Sequence, residues 1–347
     1  MTSSNKVLTG AATALLIGSG GLAQAQSSVQ TYGLLDMSVG QFQLAGEAKV
    51  KKAESGKMTT SFLGFRGTED LGGGLKAKFQ LEHFFLADTG TAGRFGADVF
   101  WARAAWVGLQ GSFGQVTLGR NDNLVFVSSL AFNAFGGSFG YSPTIQQVFT
   151  PRSGMLPFYG DSGWSNSIAY SGPKLGGLSF NFLGGLGEGA VGARGRNVSG
   201  SVNYAAGPLA ATAVWQQVKH GAGLNGVSSP PVPAGFVSQT TYQFGVSYDL
   251  TVAKLFGQYG QVRTDANFDT KTTLYGVGAS VPLGGGKALV QYGNAEAKSA
   301  IKRKNAILTL GYDYNLSKST DVYAVFMNDK AQNKTGNTYA AGIRLRF

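Results

Sequence analysis

The feature that most constrains this chain is a two-residue alternation of apolar and polar side chains. Residues 75–82 read Leu-Lys-Ala-Lys-Phe-Gln-Leu-Glu, odd positions apolar and even positions polar. Farther on, Tyr242, Phe244, Val246 and Tyr248 alternate with Gln243, Gly245, Ser247 and Asp249. The C-terminus alternates Tyr339, Ala341, Ile343, Leu345 and Phe347 with Ala340, Gly342, Arg344 and Arg346. Successive side chains on a strand point to opposite faces, so each segment is a strand with one apolar and one wet face. A soluble sandwich also alternates. These segments, however, recur at about 9–11 residues, the span a tilted strand needs to cross a bilayer.

Composition agrees. Charged residues make up 14% of the chain, against about 25% in a typical soluble domain. So little charge cannot cover a soluble surface, yet no segment after the leader reads as a clear spanning helix. A barrel resolves this by showing apolar side chains to lipid and keeping polar ones inside. The 53 glycines come with only 9 prolines and no three-residue period, which excludes collagen. There is no cysteine, so an exported chain of this length must be held by a large cooperative structure rather than by disulfides.

Export is signalled at the N-terminus. Lys6 is the only charge in residues 1–25, an apolar stretch follows, and Ala23-Gln24-Ala25 has the small-x-small form of a cleavage site. Thr13 and the run Gly18-Ser19-Gly20-Gly21 break that stretch, which falls short of the roughly 20 apolar residues of an anchor. Residues 1–25 therefore read as a signal peptide and 26–347 as a single barrel domain.

The connections fall into two alternating classes. Short, mostly glycine-rich ones lie at 69–74, 111–114, 172–177, 205–208, 282–287 and 315–320. Longer ones, mostly more polar, lie at 41–57, 86–98, 121–163, 217–239, 263–271, 295–305 and 328–337. This predicts an all-β fold: a transmembrane antiparallel barrel of about 16 strands, with short periplasmic turns and long extracellular loops. One loop, 121–163, stands out. Residues 123–150 carry no charge and include Leu124, Val125, Phe126, Val127, Leu130, Phe132 and Phe135. Gly136-Gly137, Gly140 and Pro143 cut short any spanning helix there. Loops this long are usually functional, and the dry surface open to this one is the inner wall. It is expected to fold into the lumen, with one short helix near 124–132.

At this point the residues carry a resemblance. The run 59–77, Thr-Thr-Ser-Phe-Leu-Gly-Phe-Arg-Gly-Thr-Glu-Asp-Leu-Gly-Gly-Gly-Leu-Lys-Ala, resembles the second hairpin of the Gram-negative trimeric porins, particularly the anion-selective porins of β-proteobacteria. Residues 28–36 resemble their first strand, and 103–120 the hairpin entering their constriction loop. The closing Gly342-Ile343-Arg344-Leu345-Arg346-Phe347 resembles their C-terminus. The resemblance implies a 16-stranded barrel, a homotrimer, a pore-narrowing third loop, and passive diffusion of small hydrophilic solutes. It also implies that Phe347 is the terminal aromatic read by the barrel-assembly machinery. Two departures stand out: Phe62 occupies a position where many relatives carry arginine, and the acidic Pro-Glu-Phe-Gly-type loop motif is replaced by Phe135-Gly136-Gly137.

Charge gives the expected selectivity. Of 29 Lys and Arg, removal of Lys6 leaves 28, against 18 Asp and Glu, or 28 − 18 = +10. Part of the excess, Lys49, Lys51, Lys52 and Lys302-Arg303-Lys304, is suited to lipopolysaccharide phosphates. The rest is assigned by parity. With Leu63, Phe65, Ala77, Phe79 and Leu81 toward lipid, Arg66, Lys76, Lys78 and Glu82 point inward. With Trp106 outward, Arg103 points inward. Arg120 ends the hairpin and Arg152 lies in the third loop. The expected pore-lining set is Arg66, Lys78, Glu82, Arg103, Arg120 and Arg152, and inward bases in a narrow passage concentrate small anionic or polar solutes.

Other functions find little footing. His83 and His220, the two histidines, lack a nucleophile context. The G-x-G-x-x-G match at 187–192 is followed by a basic loop rather than a helix. No spacing suits a metal or another cofactor, and scattered bases behind a leader argue against nucleic acid. A substrate-specific channel, or a structural or adhesive barrel working through its loops, would use the same wall.

Overall fold

The structure, a computed structural model, describes residues 28–96, 98–151, 155–186, 197–219 and 233–347. The expected leader, Arg152, His220 and the 187–192 motif lie outside the described residues. In chain order come β1 (Ser28–Phe42), β2 (Val50–Ser55), β3 (Phe62–Gly72), β4 (Leu75–Leu86), β5 (Thr91–Ala92), β6 (Ala104–Gly111) and β7 (Gly114–Asp122). Two helices follow, α1 (Leu124–Ala131) and α2 (Pro143–Phe149). Then come β8 (Gly163–Ser171), β9 (Leu178–Gly185), β10 (Asn197–Ala206), β11 (Leu209–Val218), β12 (Ser238–Asp249) and β13 (Lys254–Asp265). The chain ends with β14 (Thr270–Leu283), β15 (Gly286–Lys298), β16 (Arg303–Asn315), β17 (Thr320–Ala331) and β18 (Lys334–Arg346).

These segments form one antiparallel sheet that closes where β1 meets β18, with Asp36 opposite Arg344. β2 and β3 both pair with β1, one above the other, and are two halves of one wall strand. β5 pairs only with the top of β4. The wall therefore has the expected 16 strands. Closure leaves no unpaired edge, the condition for a sheet in lipid. At the seam Gly33 N donates to Phe347 O (2.9 Å) and Phe347 N donates to Gly33 O (3.2 Å), so the last residue is tied into the first strand.

Side-chain facing follows the parity of the sequence. On β12, Phe244 is 49% exposed on the outside while Gln243 is 3% exposed within. Outward aromatics form two bands. Trp215, Tyr242, Tyr275 and Tyr339 lie toward the loop side, and Tyr170, Tyr204, Tyr248 and Tyr314 toward the turn side. Amphipathic rings suit both membrane interfaces.

Three expectations need correction. Trp106 is inward: it pairs with Gln80, on the face of Glu82, while Val107 and Leu109 point out. Arg103 nevertheless reaches the lumen, because the chain before Ala104 has left the strand and parity does not carry across. A turn between β12 and β13 had gone unseen because Thr251, not glycine, takes its left-handed position (φ 70°). The connection between β9 and β10 is missing from the long-loop class, although a basic loop is read after residue 192.

Candidate functional site: the constriction

The third loop leaves β7 and returns to β8 through a closed neck. Asn123 N donates to Ser162 O (2.9 Å) across it. Arg120 is buried at the neck, with Nε donating to Ala102 O (2.6 Å), one terminal nitrogen to Ser165 Oγ (3.0 Å), and the other lying 3.4 Å from Asp161. Arg94 from the second loop adds Ser162 and pairs with Asp98 at 2.9 Å. Burial opposes ionisation of Asp98, but the Arg94 guanidinium outweighs it and holds the carboxyl below its usual range.

Inside the barrel the loop is built from two short helices. Asn123 caps α1, its side chain accepting from Val125 N and Phe126 N. That is the helix expected near 124–132. The second was unexpected. Pro143, read from sequence only as a helix breaker, stands in the first turn of α2 behind the cap Ser142, where its missing N–H costs nothing.

Wall glutamines hold the loop. Gln216 accepts from Asn123 Nδ2 (2.7 Å), and Gln239 accepts from Tyr159 N (2.8 Å) and donates to Pro157 O (3.1 Å). Gln243 donates to Ser128 and Ser129 hydroxyls (both 3.0 Å), Gln258 to Ser129 O (3.0 Å), and Gln291 to Thr144 Oγ1 (3.0 Å). Buried amides of this kind need partners, and the loop supplies at least one to each of the five, leaving Gln216 Nε2 and Gln291 Oε1 unpaired among the described residues. The loop then reaches the opposite wall. Ser138 Oγ and Gly140 N donate to Lys57 O (2.7 and 2.9 Å), and Tyr141 donates to Ser38 Oγ (3.3 Å). Beneath it Asp36 accepts from Met58 N, Thr59 N and Tyr323 OH. The loop thus crosses the lumen from β7 and β8 to β1, β2 and β17.

The wall left uncovered carries charge. Tyr32 donates to Glu82, and Gln80 donates to the same oxygen (2.7 Å). Arg66 lies over the Tyr32 ring at 4.5 Å and bonds Gln30 (3.0 Å). Arg103 lies over the Phe62 ring at 4.3 Å, with Nε 2.8 Å from Glu82 Oε2, an ion pair by distance whose N–H is not aligned as a hydrogen bond. Phe62 is the platform under an arginine from another part of the chain. Lys78 sits toward the turns, bonded to Gln110 (3.2 Å). Of the expected set, the structure brings Arg66, Glu82 and Arg103 together, places Lys78 on the same wall, and engages Arg120 in the neck.

Sequence reasoning missed a second basic group. A cavity of about 340 Å³ between the loop and the lower wall is lined by Asn133, Phe135, Lys254, Lys287 and Arg344. Arg344 is tied to Asp313 (2.5 Å) and Asp321 (2.7 Å). Arg344 stood on the polar parity of the last strand, and that signal could have found it. Lys287 falls at the end of a stretch, 282–287, that the sequence marks as a turn.

A closed 16-stranded barrel crossed by an infolded loop defines a transmembrane channel. A family model for Gram-negative porins matches residues 11–334, and the chain belongs to that family. Outer membrane porin protein 32 of Delftia acidovorans is 34% identical over 357 residues, 95% of this chain and 93% of that one. An outer membrane porin protein of Bordetella pertussis is 28% identical, covering 97% of this chain and 98% of its own length. Among solved structures, the anion-selective porin from Comamonas acidovorans superposes with a TM-score of 0.77 at 30% identity, covering 93% of this chain and all of that one. A trimer form of OmpT from Vibrio cholerae, at 16% identity and a TM-score of 0.68 over 92% and 99%, shares the fold. The chain is an outer-membrane porin, a passage for passive diffusion of small hydrophilic solutes.

Proposed function

We propose that this porin favours anions, works without catalysis or a cofactor, and assembles as a homotrimer. The observation that carries the selectivity is an asymmetry of charge. The loop contributes no formal charge between residues 123 and 150, whereas the wall it leaves open presents Arg66, Lys78 and Arg103 around Glu82, with Asp122 at the end of β7 also within electrostatic reach of Arg103. A unit charge about 4 Å from an ion interacts by about 1 kcal/mol in bulk water and about 4 kcal/mol at the effective dielectric of a protein surface. Arg66, Lys78, Glu82 and Arg103 form the selective set, with Arg152 from the loop joining them. Arg120 serves as a tie at the neck. In a planar bilayer under a salt gradient, Arg66→Glu with Arg103→Glu should move the reversal potential toward cations. The effect should shrink at high salt, as the Debye length falls to about 3 Å at 1 M. A folded double variant with unchanged selectivity would show that the selective charges lie elsewhere.

The partners follow from the outer face. Arg263, Lys271 and Lys298 stand directly opposite one another on β13, β14 and β15, on the outward parity and at the loop-side rim. Like charges so placed repel; Glu296 offsets Lys298 at 3.6 Å, and the phosphates of lipopolysaccharide supply counter-charge for Arg263 and Lys271. Phe347 serves as the signal to the barrel-assembly machinery. The trimer rests on the family resemblance, and cross-linking of intact outer membranes tests it.

A further inference from the structure

The inner wall beneath the loop has a groove that glutamine hooks alone do not explain. Gly245, Gln258, Gly276 and Gly293 are consecutive cross-strand partners on β12, β13, β14 and β15, so they form one row at one height. Cross-strand partners share a face, and this face is the lumen. Each glycine of the row lies under a loop side chain. A Cβ on Gly245 would stand 2.6 Å from the Phe132 ring. One on Gly293 would stand 2.7 Å from Gln147 Oε1 and 2.8 Å from Pro143 Cβ. One on Gly276 would collide with the Thr144 methyl. On β16, Gly311 meets Phe135 in the same way, at 2.9 Å.

None of these glycines has a positive φ. Backbone conformation therefore does not ask for glycine here, and a glycine inside a strand weakens it. What they share is the loop above them. We infer that Gly245, Gly276, Gly293 and Gly311 form a side-chain-free trough that sets how deeply the constriction loop lies against the wall, and thereby the cross-section of the channel. They are positioning residues: none need touch a permeating solute, and each acts through the loop residue it admits. Interiors this tightly packed shift rather than absorb an added methyl, and the free direction for the loop is toward the open lumen.

The test uses the intact porin in planar bilayers. Gly276→Ala should reduce single-channel conductance and lower the size of polyethylene glycol that enters, while heat resistance on gels stays near wild type. Thr144→Ser removes only the colliding methyl and keeps the hydroxyl that accepts from Gln291. Combined with Gly276→Ala it should restore conductance. Gly257→Ala, on the lipid-facing parity of β13, should leave conductance unchanged. If Gly276→Ala does not assemble, Gly311→Ala paired with Phe135→Leu asks the same question at the milder contact. Wild-type conductance in an assembled Gly→Ala variant, or no recovery in the paired variant, overturns the inference.

Discussion

The two halves of the lumen wall are built on opposite principles. The half from β11 to β16 seats the loop mainly on glutamine, serine, threonine and glycine, with Lys254, Lys287 and Asp313 kept to the cavity at its lower end. The stretch from β3 to β6, beyond the loop's landing on Ser38 and Lys57, presents Arg66, Lys78, Glu82 and Arg103 to the open lumen, the two arginines on aromatic platforms. One half seats the loop and the other faces solute. The lesson is that charge can be spent on permeation only where it is not needed for holding. A charge under the loop would lose hydration, and desolvating one costs several kcal/mol even when it is paired. Neutral amides can be buried there because each of the named glutamines finds at least one partner in the loop.

Arg120 and Arg103 are the sharpest way to break this comparison. They lie at the ends of neighbouring strands and carry the same group, but Arg120 is 4% exposed with three partners whereas the Arg103 side chain is 30% exposed. Removing one partner of a buried, paired charge costs about 3–5 kcal/mol. Arg120→Met should lower the thermal unfolding transition sharply while the sign of ion selectivity persists. Arg103→Met should do the reverse, with a small change in stability and a measurable loss of anion preference. If the two variants behave alike, neck and filter are not separate devices.

An intermediate effect is expected at the seat. Gln243→Leu strands the Ser128 hydroxyl, while Ser129 keeps its bond to Val125 O, and a buried polar group left without a partner costs about 1–3 kcal/mol. The loss falls on the loop rather than on the closed wall. Open-channel current noise should therefore rise while the barrel keeps its heat resistance. A quiet channel would mean that the other glutamines hold the loop without it.

The halves also differed in how far they could be read in advance. The wall was legible because a period of two is a property of single strands, visible in Tyr242 to Asp249 without knowing any partner. The loop was legible as uncharged and infolded, and α1 from its apolar run. The seat was not, because Gln216, Gln243 and Gln291 look like any inward polar residue until the loop is laid on them. Gly276 and Gly293 read as ordinary strand glycines for the same reason. Arg103 fell on the right side from a wrong premise about Trp106, and the role of Phe62 depended on a contact 41 positions away. Glycine marked most turns, but it could not mark the one that uses Thr251.

The smallest expected effect lies outside both halves, where the second loop meets the neck. Asp98 is paired with Arg94, which also bonds Ser162, so protonating Asp98 should loosen residues 91–100 without touching the wall. The sign follows from the direction of its shift. Because the folded carboxyl is held below its ordinary value of about 3.9, its contribution is complete above about pH 4 and is lost as pH falls through the lowered value. The Arg94 side chain is 18% exposed, so solvent screens the pair in part and the loss stays within one loop. Hydrogen exchange of the second loop, corrected for intrinsic rate, should therefore rise modestly only below about pH 4. Asp98→Asn should show the raised exchange at neutral pH and no further rise in acid. Equal acid sensitivity in the wild type and in Asp98→Asn would place the titrating group elsewhere in the loop cluster.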